Sequence, residues 1–193
     1  MIFQVFVMSF SGCGIVPIPK RQISRYNSLS KRPTSPQGYR SGRMDHVKWM
    51  STDEKSLDLR IAGYEFPRIA GHGAGLEEWD DANWLVIAGR VCVGFGDAWS
   101  FCHPCMTAFE AQSLGEWLGQ VSEGGSPDPL GFLEPNLWFA SPNPKTVVVR
   151  FSYESSPSQQ YDGQAEVVYP LDADELARAA SEWMDEVRQH PPR

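Results

Sequence analysis

A chain of 193 residues with 41% hydrophobic content is long enough for one domain with a real core, or for one such domain and a tail. Its formal net charge of -7 conceals two parts, because residues 1 to 50 carry +7 and residues 51 to 193 carry -14. A domain that acidic repels nucleic-acid phosphates and attracts basic proteins, which disfavours direct DNA or RNA binding.

The first segment, Met1 to Met8, is apolar but too short to span a bilayer, and no positive charge precedes it as a signal peptide requires. Phe10-Ser11-Gly12-Cys13 has only a faint likeness to a lipoprotein cleavage box. From Lys20 to Arg43 the chain is rich in Ser, Pro, Gly and Arg without any period, the composition of a disordered stretch. Residues 1 to 50 therefore read as a basic tail or as the product of a start site placed too far upstream, with Met44 and especially Met50 as natural beginnings. Residues 51 to 193 read as a single acidic domain. The four cysteines, Cys13, Cys92, Cys102 and Cys105, are too sparse for a disulfide scaffold and suit a reducing cytoplasm, with no membrane partner.

Leu57, Leu59 and Ile61 alternate with polar residues and predict a strand ending near Tyr64-Glu65-Phe66-Pro67. Gly71-His72-Gly73-Ala74-Gly75 predicts a turn. A second strand follows, with Leu85, Ile87, Val91 and Val93 on one face, and a third carries Trp99 and Phe101. Thr107-Ala108-Phe109-Glu110 is a capping box, opening a helix whose apolar stripe is Leu114, Trp117, Leu118 and Val121 and which Gly124-Gly125 ends. Gly115 and Gly119 weaken that helix intrinsically, so packing must stabilise it.

Leu130 to Phe139 predicts a fourth strand, at an edge or bulged because Pro135 lies within it, and Thr146 to Glu154 a fifth. A sixth carries Val167, Tyr169 and Leu171. Asp172 and Glu175 then cap a terminal helix with the stripe Leu176, Ala180, Trp183 and Val187. The order βββαβββα predicts an α+β domain built on a single, mostly antiparallel six-stranded sheet with the two helices packed on it.

Candidate chemistry is thin. Cys102-His103-Pro104-Cys105 is a CxxC, but the capping box leaves both thiols outside the helix start that lowers a thiol pKa. Cys92, Cys102, His103 and Cys105 contain only one of the two paired knuckles of a structural zinc site. Asp81 with Glu134 is the remaining acid pair for a hydrolase, and His72 has no nucleophile placed beside it. The expectation is a protein without enzymatic activity, cofactor or metal; the alternatives are a small thiol or hydrolytic enzyme and an adaptor for another basic protein.

Two segments combine carboxylates, an Asn and large rings: Glu77-Glu78-Trp79-Asp80-Asp81-Ala82-Asn83-Trp84-Leu85 and Phe132-Leu133-Glu134-Pro135-Asn136-Leu137-Trp138-Phe139. Rings supply contact area and carboxylates attract a basic partner, so both read as binding surface. The residues expected at an interface are Glu77, Glu78, Asp80, Asp81 and Glu134, with Trp79 and Trp138 as anchors. Trp84, Trp99, Trp117 and Trp183 fall on apolar patterns and are expected in the core.

Taken in order, Gly63-Tyr64-Glu65-Phe66-Pro67, Asp81-Ala82-Asn83-Trp84-Leu85, Pro104-Cys105, Phe109-Glu110, Leu114, Trp117-Leu118, Phe132 to Leu137 and the closing Pro191-Pro192-Arg193 resemble the WapI-type immunity proteins of bacteria. The resemblance covers residues 57 to 193. It implies a small cytoplasmic antidote that binds the toxic C-terminal domain of a polymorphic, cell-to-cell delivered toxin, typically a nuclease. A basic, RNA-cleaving toxin domain matches the acidic charge.

Overall fold

The computed structural model describes residues 47–51, 54–67, 82–94, 97–158 and 163–193. The basic stretch, the Gly71 to Gly75 turn and His72 lie outside these residues. The elements are β1 (Val47–Met50), β2 (Ser56–Tyr64), β3 (Trp84–Cys92), β4 (Ala98–Thr107), α1 (Ala108–Ser122), β5 (Leu130–Gly131), β6 (Leu137–Asn143), β7 (Thr146–Ser152), a 3-10 turn (Tyr153–Ser155), β8 (Gln164–Pro170) and α2 (Ala173–Gln189).

The single six-stranded sheet is overturned. Among the described residues the strands form two antiparallel four-stranded sheets, in the orders β1-β2-β3-β4 and β5-β6-β7-β8. The capping box supplies the physical reason: Thr107 ends β4 and is itself the N-cap of α1, so the chain leaves the edge of the first sheet directly into a helix. The later strands then pair among themselves through short connections. Each sheet buries one face, and those faces meet through rings. Trp49 lies edge-on to Phe139 and Tyr169, with centroids 6.1 Å apart in both cases, and Trp99 lies 5.4 Å from Phe151.

Alternation places most of the core where the sequence predicts it. Leu57, Leu59, Ile61, Leu85, Ile87, Val91, Val147, Val149, Phe151, Val167 and Tyr169 are buried. So are Trp117 and Trp183, whereas Trp84 and Trp99 are only half-buried. Two strand assignments differ. β1 was absent from the predicted set, although its Trp49 is 1% exposed and joins the core. The stretch from Leu130 to Phe139 is not one strand, because Glu134-Pro135-Asn136 turns between β5 and β6. Pro135 cannot donate to a ladder, and here a turn removes that demand.

Both helix starts are capped. Thr107 Oγ1 accepts from Glu110 N at 3.3 Å while the Glu110 carboxylate accepts from Thr107 N at 2.8 Å, the full reciprocal box. At α2 only half of that exchange forms: Asp172 accepts from Glu175 N at 2.7 Å, and the Glu175 carboxylate pairs with Arg178. The helices pack on one another, with Trp183 Nε1 donating to Ala111 O at 2.7 Å. Gly115 lies at that crossing, since a Cβ there would meet Met184 Sδ at 2.2 Å. Its helix-weakening absence of a side chain is what lets α2 approach.

Candidate functional site

Glu77, Glu78, Trp79, Asp80 and Asp81 lie outside the described residues, so only the far end of the first acidic segment has a structural account. Asn83 there is buried at 2% exposure. Its carbonyl accepts from Ala108 N at 2.9 Å, tying the start of β3 to the start of α1, and its side-chain Oδ1 accepts from Arg193 N at 2.8 Å.

The second segment is described in full and divides by depth. Asn136 and Leu137 are buried, whereas Leu133, Glu134 and Pro135 are exposed. Asn136 donates from Nδ2 to Cys105 Sγ at 3.8 Å, and its carbonyl accepts from Ser152 N at 2.9 Å and from the Ser155 hydroxyl. These bonds fasten the β5–β6 turn to β4 and to the end of β7. The exposed half is fastened as well: Glu110, already capping α1, reaches across with its other carboxylate oxygen to accept from Leu133 N at 2.6 Å. Leu133 is thereby presented at 75% exposure on a turn held from two sides.

Glu134 stands beside that leucine. Its carboxyl is held above the ordinary carboxylate range, first by loss of hydration and then by the negative charges of Glu154 and Glu110. Three carboxylates from β5–β6, the 3-10 turn and α1 thus share one region of surface. A cation placed among them would offset the like-charge repulsion.

Trp138 is placed differently. It lies on the outer face of the second sheet, half-buried, in register with Arg150, which is in register with Glu166. The Arg150 guanidinium sits 4.5 Å from the Trp138 ring centroid and pairs with Glu166 at 3.1 Å. The indole is therefore covered by a cation instead of standing bare as an anchor.

The cysteines separate. Cys102 is exposed and Cys105 fully buried, where burial pushes its thiol pKa up to about 12 and opposes thiolate formation. Register sets Cys92 opposite Ala98 but Cys102 opposite Ala88, four residues away along β3 and so roughly 13 Å off at about 3.3 Å per residue. No group of three His, Cys, Asp or Glu side chains among the described residues has metal-binding geometry. No helix among them is long and apolar enough to cross a membrane.

Sequence reading grouped each Asn with a binding segment without assigning it to the interface, and it does not show that both are buried structural ties. It also missed Glu110 and Glu154 as companions of Glu134. The doubled role of Glu110 had one legible sign, the capping box; the approach of Glu154 depends on sheet pairing that local pattern does not carry.

Among solved structures, the chain is similar to one titled as that of the plant transcriptional regulator PBF-2, at 12% identity over 75% of this chain and 82% of that one, with a TM-score of 0.40. No curated protein matches. A family model described as the Immunity protein WapI-like family matches residues 48–191, from within β1 to just past α2 and through both Asn ties. The chain therefore belongs to the WapI-like immunity protein family, and the function that family membership assigns is immunity.

Proposed function

We propose that this protein neutralises the toxic C-terminal domain of a polymorphic secreted toxin by occupying a basic surface of that domain in the cytoplasm, without catalysis and without a cofactor. The observation that carries this reading is the exposed Leu133 on a doubly tethered turn beside Glu134, whose ionised form is disfavoured first by loss of hydration and then by the charges of Glu154 and Glu110. Uncompensated negative charge around a presented apolar side chain complements a cationic surface with a shallow apolar recess. A nuclease that grips an RNA backbone with Lys and Arg has such a surface, so blocking it excludes the substrate.

Glu77, Glu78, Trp79, Asp80 and Asp81 extend the same contact in this proposal, with Trp138 at its margin. Tight pre-organisation matters because ordering a loop on binding offsets part of the affinity gained. The turn bearing Leu133 is already ordered by Glu110 and Asn136.

The test is co-expression of this chain with the C-terminal domain of its cognate toxin. The wild type should restore growth and co-purify with that domain, and replacing Glu110, Glu134 and Glu154 together by Gln should abolish both while the variant stays folded. Retention of full protection by that variant would remove this surface from the contact.

A further inference from the structure

The last residues of the sequence lie in a cradle built for an arginine. Tyr64, at the end of β2, presents its ring so that the Arg193 guanidinium carbon stands 3.4 Å from the ring centroid, a stacked cation–π contact. Phe66 O accepts from Arg193 Nη1 at 3.3 Å. The Asn83 carboxamide reads the backbone of the same residue, accepting from its N–H at 2.8 Å and donating to its C=O at 3.5 Å. Two residues earlier, the Tyr64 hydroxyl donates to Pro191 O.

Each wall of the cradle also has bonds or backbone geometry that do not involve the arginine. Asn83 is 2% exposed and its backbone is bonded to Ala108. Gly63, at φ +140°, makes a bulge in β2 that resets the alternation and sets Tyr64 in register with Leu85, and this backbone angle favours glycine. Glu65 N donates to Trp84 O at 2.9 Å, holding the stretch between Tyr64 and Phe66 against β3.

A site that recognises a guanidinium by stacking and a carbonyl, and an extended backbone by a buried carboxamide, reads an arginine-bearing peptide irrespective of its source. We propose that Tyr64, Phe66 and Asn83 form an arginine-peptide site, which Pro191–Arg193 occupies as an internal stand-in for an arginine on an extended segment of a basic partner protein. Tethering gives the internal segment an effective concentration on the order of millimolar, so an outside segment displaces it only when other contacts hold the partner nearby. The site thus adds selectivity for a docked basic protein and stays closed to free arginine peptides. It stands on the cradle alone and does not depend on where a toxin binds.

The experiment titrates the peptide acetyl-Pro-Pro-Arg-amide into the full-length chain and follows the backbone amide resonances of Phe66 and Asn83 by NMR, which every variant retains. Arg193→Ala removes the stack and the bond to Phe66, so this variant should bind the peptide at least about tenfold more tightly than the wild type. The same peptide with Lys for Arg should bind more weakly, and adding Tyr64→Leu should abolish the gain. Arg193→Lys keeps the stem and charge of the internal segment; should Arg193→Ala fail to fold, this variant carries the test and should also bind the arginine peptide more tightly than the wild type. Folded Arg193 variants that bind no better than the wild type, or bind Lys and Arg peptides equally, would overturn the proposal.

Discussion

Glu134 carries a liability that a purely structural carboxylate would not retain. Loss of hydration, and then the negative charges of Glu154 and Glu110, hold its carboxyl above the ordinary carboxylate range in the folded chain. The stability linked to it is therefore complete below the unfolded pKa and is lost as pH rises through the folded value. Glu134→Gln should leave the protein at least as stable as the wild type at about pH 7, with its thermal midpoint less dependent on pH between about 4 and 7, while affinity for the toxin domain falls. Melting curves at the two pH values check the first part, and a variant less stable at neutral pH would contradict it. Trp49 shows the opposite balance. It is 1% exposed and reaches from the first sheet to two rings of the second, Phe139 and Tyr169, so Trp49→Ala should cost about 3–5 kcal/mol in denaturant unfolding. A chain beginning at Met50 lacks the same ring and should lose a comparable amount.

At the level of elements, local signals were legible wherever a period or cap fixed the backbone. The stripe of α1 and the alternation of β2, β3, β7 and β8 follow directly from which residues must be buried. What remained illegible was pairing. One sheet covered by helices and two sheets facing each other both require one apolar face per strand, so Leu57-x-Leu59-x-Ile61 cannot distinguish them. β1 was lost because Val47-Lys48-Trp49-Met50 adjoins the basic stretch and offers a single ring as its core signal. The capping box decides the topology by turning β4 into α1 without a loop. Thr107→Ala should cost about 1 kcal/mol in unfolding measurements, the usual magnitude for a lost N-cap. Glu110→Ala should cost more than Thr107→Ala, because Glu110 also holds Leu133 N. Equal losses would show that the bond to Leu133 contributes nothing.

For the whole molecule, the two conspicuous acidic-aromatic segments divide into inside and outside. Asn83, Asn136 and Leu137 bind the fold to itself, while Leu133 and Glu134 face outward with Glu110 and Glu154 as neighbours in charge. Residues 51 to 193 carry -14, but that sum does not show which carboxylates lie near one another. Electrostatic capture by such a surface is screened by salt, with a Debye length of about 10 Å at 0.1 M. The most direct test is the association rate with the C-terminal domain of the cognate toxin, measured for the wild type and for the Glu110, Glu134 and Glu154 triple Gln variant between about 0.05 and 0.5 M salt. The wild-type rate should fall by roughly tenfold or more across that range, and the variant should associate more slowly with a flatter salt dependence. Equal rates and equal slopes for the two proteins would contradict the account.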